Sequence, residues 1–118
     1  MRFPNPLYSA QTAIFPVIYI ETGELIDRLK TLSVPAWFAI STADPAVITD
    51  MPKNINKGFG AQGLFVPAFG ATGNGAVFLW QARDVVQATR ARLWFNTFRD
   101  STWNNVWKQV APSDTPSA

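Results

Sequence analysis

A glycine-rich string from Gly58 to Gly63 is the first place where this sequence could do chemistry. GFGAQG matches the pattern G-x-G-x-x-G. In a dinucleotide site this pattern follows a strand and opens a helix, whose N-terminus binds the pyrophosphate. Here a polar loop precedes the string, and a strand interrupted by Pro67 follows it. The context of a phosphate site is missing, so we interpret the glycines as positions of backbone freedom or close approach.

The acid–base chemistry open to the chain is narrow, because it contains no cysteine and no histidine. This composition excludes disulfides, thiolate sites and the usual Ser-His triads. Glu24 and Asp27 could form a carboxylate pair on one helix face, but acidic residues in a first helical turn are expected for dipole reasons alone. We interpret Asp44 as a helix cap and Asp50 as a loop charge. We therefore predict no enzyme activity, no cofactor, no metal and no small-molecule substrate.

Aromatic and cationic side chains interleave along residues 80–108, a pattern typical of proteins that bind single-stranded nucleic acid. Arg and Trp are also enriched in the hot spots of protein–protein interfaces. The net charge of the chain is only +2 but is unevenly spread, with −2 over residues 1–50 and +4 over residues 51–118. Such asymmetry can mark a nucleic-acid face, but the imbalance is small and we interpret it as an ordinary solvated surface. We favour a protein interface and keep nucleic-acid binding as the alternative. The nucleic-acid contacts would be Trp94, Phe95, Arg90 and Arg92.

One stretch of the chain has clear helical periodicity. Leu25, Ile26, Leu29 and Leu32 fall on one face of a helix over about residues 24–32. We predict that this amphipathic helix covers one face of a small antiparallel or mixed sheet, in a β-rich α+β fold. A mostly-β sandwich or barrel is the alternative.

Strands are predicted where β-branched and aromatic runs are bounded by glycine and proline. Pro16 and Pro67 mark two of them as edge or bulged strands, because proline donates no ladder hydrogen bond. A second helix is possible over about residues 84–92, with an all-strand alternative, and Trp103 and Trp107 at i, i+4 suit a helical turn. The predicted strands are residues 13–20, 36–41, 64–69, 76–81 and 93–98.

The composition predicts one globular domain, residues 13–110. An extended arm with two prolines, residues 1–12, precedes it, and a flexible polar tail, residues 111–118, follows it. The chain of 118 residues is 47% apolar with nine Phe and five Trp, enough for an aromatic core. No apolar run approaches the roughly 18 residues needed to span a bilayer, so we expect a soluble protein with no membrane partner.

Edge strands, a reaching arm, glycine-rich loops and many tryptophans are properties of a subunit that assembles with its neighbours. We expect a non-enzymatic structural protein of a bacteriophage virion: a head–tail connector, tail-completion or capsid-decorating protein, assembled in the host cytoplasm. Its partners would be further copies in a ring or lattice, other virion structural proteins, or both. The interface candidates are Phe3, Pro4, Lys53, Lys57, Phe59, Asn74, Arg90, Arg92, Trp94, Arg99, Trp103 and Trp107.

Overall fold

The computed structural model describes residues 17–68, 71–82 and 91–110, which form a seven-stranded mixed sheet and one short helix. The helix, α1, is Leu25–Leu29. The strands are β1 (Val17–Tyr19), β2 (Ala36–Ile40), β3 (Ala61–Pro67), β4 (Gly75–Gln81), β5 (Arg92–Arg99), β6 (Thr102–Trp103) and β7 (Lys108–Val110). The order is β1-β2-β3-β4-β5, and both β6 and β7 pair with β5.

Only the pair β1–β2 is parallel among these strands, and α1 lies in the crossover between its two members. The other pairs are antiparallel. The prediction of a β-rich fold with a mixed sheet is confirmed. The described strands form one open sheet and do not close into a barrel.

Helix α1 is shorter than predicted. Its buried residues are Leu25, Ile26 and Leu29, the apolar face that the periodicity indicated. The helix ends early because the chain tightens at its C-terminus: the N–H of Leu32 donates to the C=O of Leu29 at 3.1 Å, an i to i+3 turn rather than a further α-helical turn. The predicted range of about 24–32 is therefore only partly right.

Two predictions about the strands and the C-terminal segment need correction. β1 lies at the sheet edge, one of the two placements predicted for the strand at 13–20, although residues 13–16 with Pro16 lie outside the described ranges. β3 is an interior strand paired with both β2 and β4, not the predicted edge strand at 64–69. Pro67 is tolerated there because its nitrogen lies on the β2 side of β3, where the pairing with β2 has already ended at Ala36 and Phe65. On the β4 side the next hydrogen bond comes from the N–H of Ala68 to the C=O of Asn74. The helical turn predicted around Trp103 and Trp107 is wrong, since residues 102–103 and 108–110 are strands.

Several predictions fall on residues outside the described ranges. These are the arm (1–12), the tail (111–118) and most of the possible second helix (84–92). Within that last range the structure describes the C-terminal end, where Arg92 already belongs to β5.

The core lies on one side of the sheet, which we call the inner face. Along β2, β3, β4 and β5 every second side chain is buried, as expected when one face of a sheet is covered. Helix α1 and the 41–60 segment supply the opposite layer. The core residues from the strands are Phe38, Ile40, Ala61, Phe65, Val77, Leu79, Trp94 and Phe98, and those from the covering layer include Leu25, Leu29, Ile48, Met51 and Ile55.

Two polar side chains fasten the covering layer to the sheet. Gln81, 1% exposed, accepts from the backbone N–H of Asn56 and donates to its C=O, both at 2.9 Å. Asp50 accepts from the N–H groups of Leu25 at 2.6 Å and Ile26 at 2.9 Å, so it caps α1 from a distant loop. The same carboxylate accepts from the indole N–H of Trp103 at 2.9 Å.

Candidate assembly interface

The side of the sheet opposite the core carries an apolar surface, which is the feature that most needs a functional explanation. We call it the outer face and define it by the outward-facing residues of the strands. They alternate with the buried ones. The outer face consists of Val17, Tyr19, Trp37, Ala39, Gln62, Leu64, Val66, Ala76, Phe78, Trp80, Leu93, Phe95, Thr97, Arg99, Thr102, Lys108 and Val110.

The middle of the outer face is a continuous apolar row across four strands. Trp37 on β2 pairs with Leu64 on β3, Leu64 with Phe78 on β4, and Phe78 with Phe95 on β5. The rings of Phe78 and Phe95 are 5.0 Å apart, and Trp37 meets Trp80 edge-on at 5.9 Å. Cross-strand aromatic pairs of this kind stabilise a sheet, and here they also make its surface apolar.

Part of this apolar surface is exposed: within the row Trp37 is exposed, whereas Leu64, Phe78 and Phe95 are half-buried. Eight large apolar side chains are exposed in the described part of the chain, and five of them belong to the outer face. The five are Val17 (56%), Tyr19 (65%), Trp37 (37%), Val66 (39%) and Val110 (47%). Contiguous apolar patches of more than a few hundred Å² are rare on soluble monomers and mark interaction sites.

Polar and charged groups on the outer face do not prevent its burial. The indole N–H of Trp80 donates to Gln62 Oε1 at 3.0 Å, and Thr97 Oγ1 accepts from Asn104 at 2.8 Å. Burying these groups would therefore leave their hydrogen bonds intact. The charged outward-facing residues of the described strands are Arg99, near the end of β5, and Lys108, on β7. Both lie at the margin of the apolar row.

A cavity of about 620 Å³ adjoins the outer face where β3 and β4 meet their connecting loop. It is lined by Val66, Ala76 and Thr97 from the outer face, together with Pro67 and Asn104. The outer face is therefore not flat at this end, and a partner that covers it has a recess to fill.

A second cavity, of about 490 Å³, lies on the inner side between Trp103, Trp107 and the loop around Asp50. The two indole rings are 4.9 Å apart. Their N–H groups already donate to Asp50, one to its carboxylate at 2.9 Å and one to its backbone C=O at 2.7 Å. Both rings also pack on the core, so this pair serves the fold.

The structure separates the residues named for the nucleic-acid alternative. Trp94 is 1% exposed, and its indole N–H donates to Asn54 Oδ1 at 2.9 Å. Arg92 donates to the backbone C=O of Asn54 at 2.9 Å on the inner side. Phe95 lies on the outer face, opposite to Trp94. Arg90 lies outside the described residues.

The remaining interface candidates are scattered. Lys53 is exposed, and Lys57 is exposed with its Nζ 3.9 Å from Asp44. Phe59 is half-buried, and Arg99 is exposed at the margin of the outer face. Phe3 and Pro4 lie outside the described ranges.

Asn74 has a local structural role. Its Oδ1 accepts from the backbone N–H of Asp100 at 3.1 Å, and its Nδ2 donates to Thr72 at 3.1 Å. The side chain therefore holds the β3–β4 loop against the turn after β5.

The glycine string is explained by the fold. Gly58 has φ +94°, a conformation that favours glycine. Gly63 lies in β3 under the ring of Phe38, where an added Cβ would overlap the ring. The carboxylates considered for catalysis, Glu24 and Asp27, are both exposed, and Asp27 pairs with Lys30 at 3.1 Å.

Sequence reasoning missed the outer face as a unit, including Leu64, Phe78 and Trp80. One signal could have revealed it: β4 reads AVFLW, apolar without alternation. Such a strand is typical of a sheet covered on both faces. The described residues cover only the inner face with core side chains.

Comparisons of the chain with protein-family models, curated proteins and solved structures found no match. Within the described ranges, no helix is long and apolar enough to cross a membrane. The same residues contain no group of three or more acidic side chains that could hold a metal ion. The function is therefore inferred from the geometry of the outer face.

Proposed function

We propose that this protein is a non-enzymatic structural subunit that assembles with other protein subunits through the outer face of its sheet. The observation that carries the proposal is the apolar row from Trp37 to Phe95, with exposed Val17, Tyr19, Val66 and Val110 around it. Covering such a surface removes apolar area from water, which is the dominant favourable term in protein association. The hydrogen bonds already made by Trp80 and Thr97 lower the cost of burial.

We propose a bacteriophage virion as the setting, with a head–tail connector, tail-completion or capsid-decorating role. The support is compositional: a small aromatic-rich chain without cysteine or histidine, flanked by segments 1–12 and 111–118 that the sequence predicts to be extended or polar. Such segments reach onto neighbouring subunits in an assembly. The partners would be further copies of the chain, other virion structural proteins, or both.

Sedimentation velocity of the purified full chain over a range of concentrations tests the assembly proposal. We expect species larger than a monomer, with a population that grows with concentration, or a protein partner recovered in a pull-down. A strict monomer at the highest concentration, with no partner recovered, would contradict the proposal.

Single-stranded nucleic-acid binding is the alternative function. The observation that favours it is that Lys108 on β7 pairs with Phe95 on β5, so a cation lies beside the aromatic rings of an open sheet face. Bases stack on such rings, and cations track the phosphates. Binding of a labelled oligonucleotide should then weaken with salt and with Phe95→Ala. No binding at low salt would exclude this alternative.

A further inference from the structure

We propose that the partner on the outer face is a second copy of this chain, packed face to face about a twofold axis that runs along the strands. The two sheets would form a closed two-layer sandwich. This inference rests on the assembly function proposed above and specifies the partner of the same surface.

The size of the outer face fits such a pair. Six strands, β1 to β5 and β7, lie side by side at about 4.8 Å spacing, and two or three outward residues on most of them each occupy roughly 7 Å of strand. The footprint is therefore on the order of 500 Å² per copy, or about 1,000 Å² for the pair, which is the lower range for a specific interface. The side chains of Trp37 and Tyr19 project beyond this flat estimate.

The chemistry of the outer face favours a copy of itself over a charged partner. The outward-facing residues of β1, β2, β3 and β4 include no ionisable side chain except Tyr19 at the edge. A charged partner would lose its hydration there without gaining an opposite charge. The outer face of a second copy offers an apolar surface against which this one can be buried. In a twofold pair, each apolar patch meets the same patch of the partner.

The placement of Lys108 selects the direction of the axis. A twofold axis across the strands would set the β7 edge of one copy against the β7 edge of the other, with two Lys108 ammonium groups facing each other. An axis along the strands sets β7 of one copy against β1 of the other. Lys108 then lies beside Val17 and Tyr19, where the tyrosine ring can accept a cation–π contact. Sheets that pack this way keep their strands within about 30° of each other.

Engineered cysteines can test the arrangement without background, because the chain contains no cysteine. Tyr19→Cys and Val110→Cys are made separately in the full chain, mixed and treated with a short bis-maleimide. Val110 lies on β7 in the same cross-strand row as Tyr19, and its replacement leaves Lys108 in place. We expect the mixture to give cross-linked pairs at ~tenfold the yield of either variant alone, since the arrangement raises the local concentration of the matched sites. Thr31→Cys, an exposed site beside α1, is the matched control and should give no more than background.

Two measurements separate failure of this inference from failure of the assembly function. They are the molar mass of the wild-type protein in solution and the rate at which the thiol of Leu64→Cys reacts with a maleimide. A dimer whose Leu64→Cys reacts more slowly as concentration rises supports the pair. Self-cross-linking by Val110→Cys alone, open polymers, or a monomer that binds a different protein through the outer face would each overturn the inference and leave assembly standing. A monomer whose Leu64→Cys is slow at every concentration would mean that other residues of the same chain cover the face. That result would overturn both this inference and the assembly function. A monomer whose Leu64→Cys reacts rapidly and that binds no partner would also overturn both.

Discussion

At the scale of single residues, Asp50 supplies what the local sequence of α1 lacks. Glu24 occupies the N-cap position with an extended backbone and makes no side-chain cap hydrogen bond. Asp50, 25 residues beyond Leu25, accepts from the first N–H groups of the helix instead. The sequence predicted a local cap at Asp44, and the Oδ1 of this residue does accept from the N–H of Ala46 at 2.9 Å. The cap lies on a turn, however, because residues 45–49 do not form the predicted helix. The sequence could not predict the role of Asp50, which depends on the tertiary fold.

Replacing Asp50 with alanine should lower the free energy of unfolding by about 2 kcal/mol, because two helix N–H groups and the indole N–H of Trp103 lose their acceptor. Urea unfolding followed by tryptophan fluorescence measures the change. Asp27→Ala removes an exposed carboxylate from the same helix and should change stability by less than about 0.5 kcal/mol. Equal effects of the two substitutions would contradict the capping role.

Gly63 illustrates the limit of motif reading at the same scale. The glycine string predicted close approach but not its partner, which is the ring of Phe38 on the neighbouring strand. Gly63→Ala should destabilise the protein by about 1–3 kcal/mol through overpacking. Phe38→Leu, which removes the ring, should lower the free energy of unfolding less in the Gly63→Ala background than in the wild type. Additive losses in thermal unfolding would show that the two sites do not contact each other.

At the scale of elements, the strands with strong apolar runs were predictable. β2, β4 and β5 begin and end within one residue of the predicted ranges. The segment after β5 was wrongly predicted to form a helical turn, although the spacing of Trp103 and Trp107 correctly indicated that the two side chains meet. Trp103 and Trp107 do contact each other, but β6, a bend and β7 bring them together, because the free side of β5 offers backbone groups that need partners.

The covering loop depends on one side chain of β4. Gln81→Leu keeps a similar volume but deprives the Asn56 backbone of both hydrogen bonds from this side chain. We expect a loss of about 2–4 kcal/mol in unfolding free energy, since these groups are buried. Gln109→Leu removes an exposed hydrogen bond to Asn54 and serves as the control, with a change below about 0.5 kcal/mol. A Gln81→Leu variant as stable as the wild type would show that the loop is held by its apolar contacts alone.

At the scale of the whole molecule, the sheet has two unlike sides. Helix α1 and the 41–60 segment cover the inner face, whereas the outer face presents aromatic and aliphatic side chains with Arg99 and Lys108 at its margin. The sequence predicted association through edge strands, because prolines suggested edges. The exposed apolar surface instead lies on a sheet face, and it became recognisable only when the strand register placed Trp37, Leu64 and Phe78 in one row.

One pair of variants tests most directly the proposal that the outer face is an assembly surface. Leu64→Lys puts a charge in the middle of the apolar row, and Thr31→Lys puts the same charge at an exposed site beside α1. Circular dichroism and thermal unfolding first establish that both variants fold. Sedimentation velocity of both is then compared with the wild type at equal concentrations. We predict that the wild type and Thr31→Lys sediment as the same assembly while Leu64→Lys sediments as a folded monomer; an unchanged assembly in Leu64→Lys would contradict the proposal.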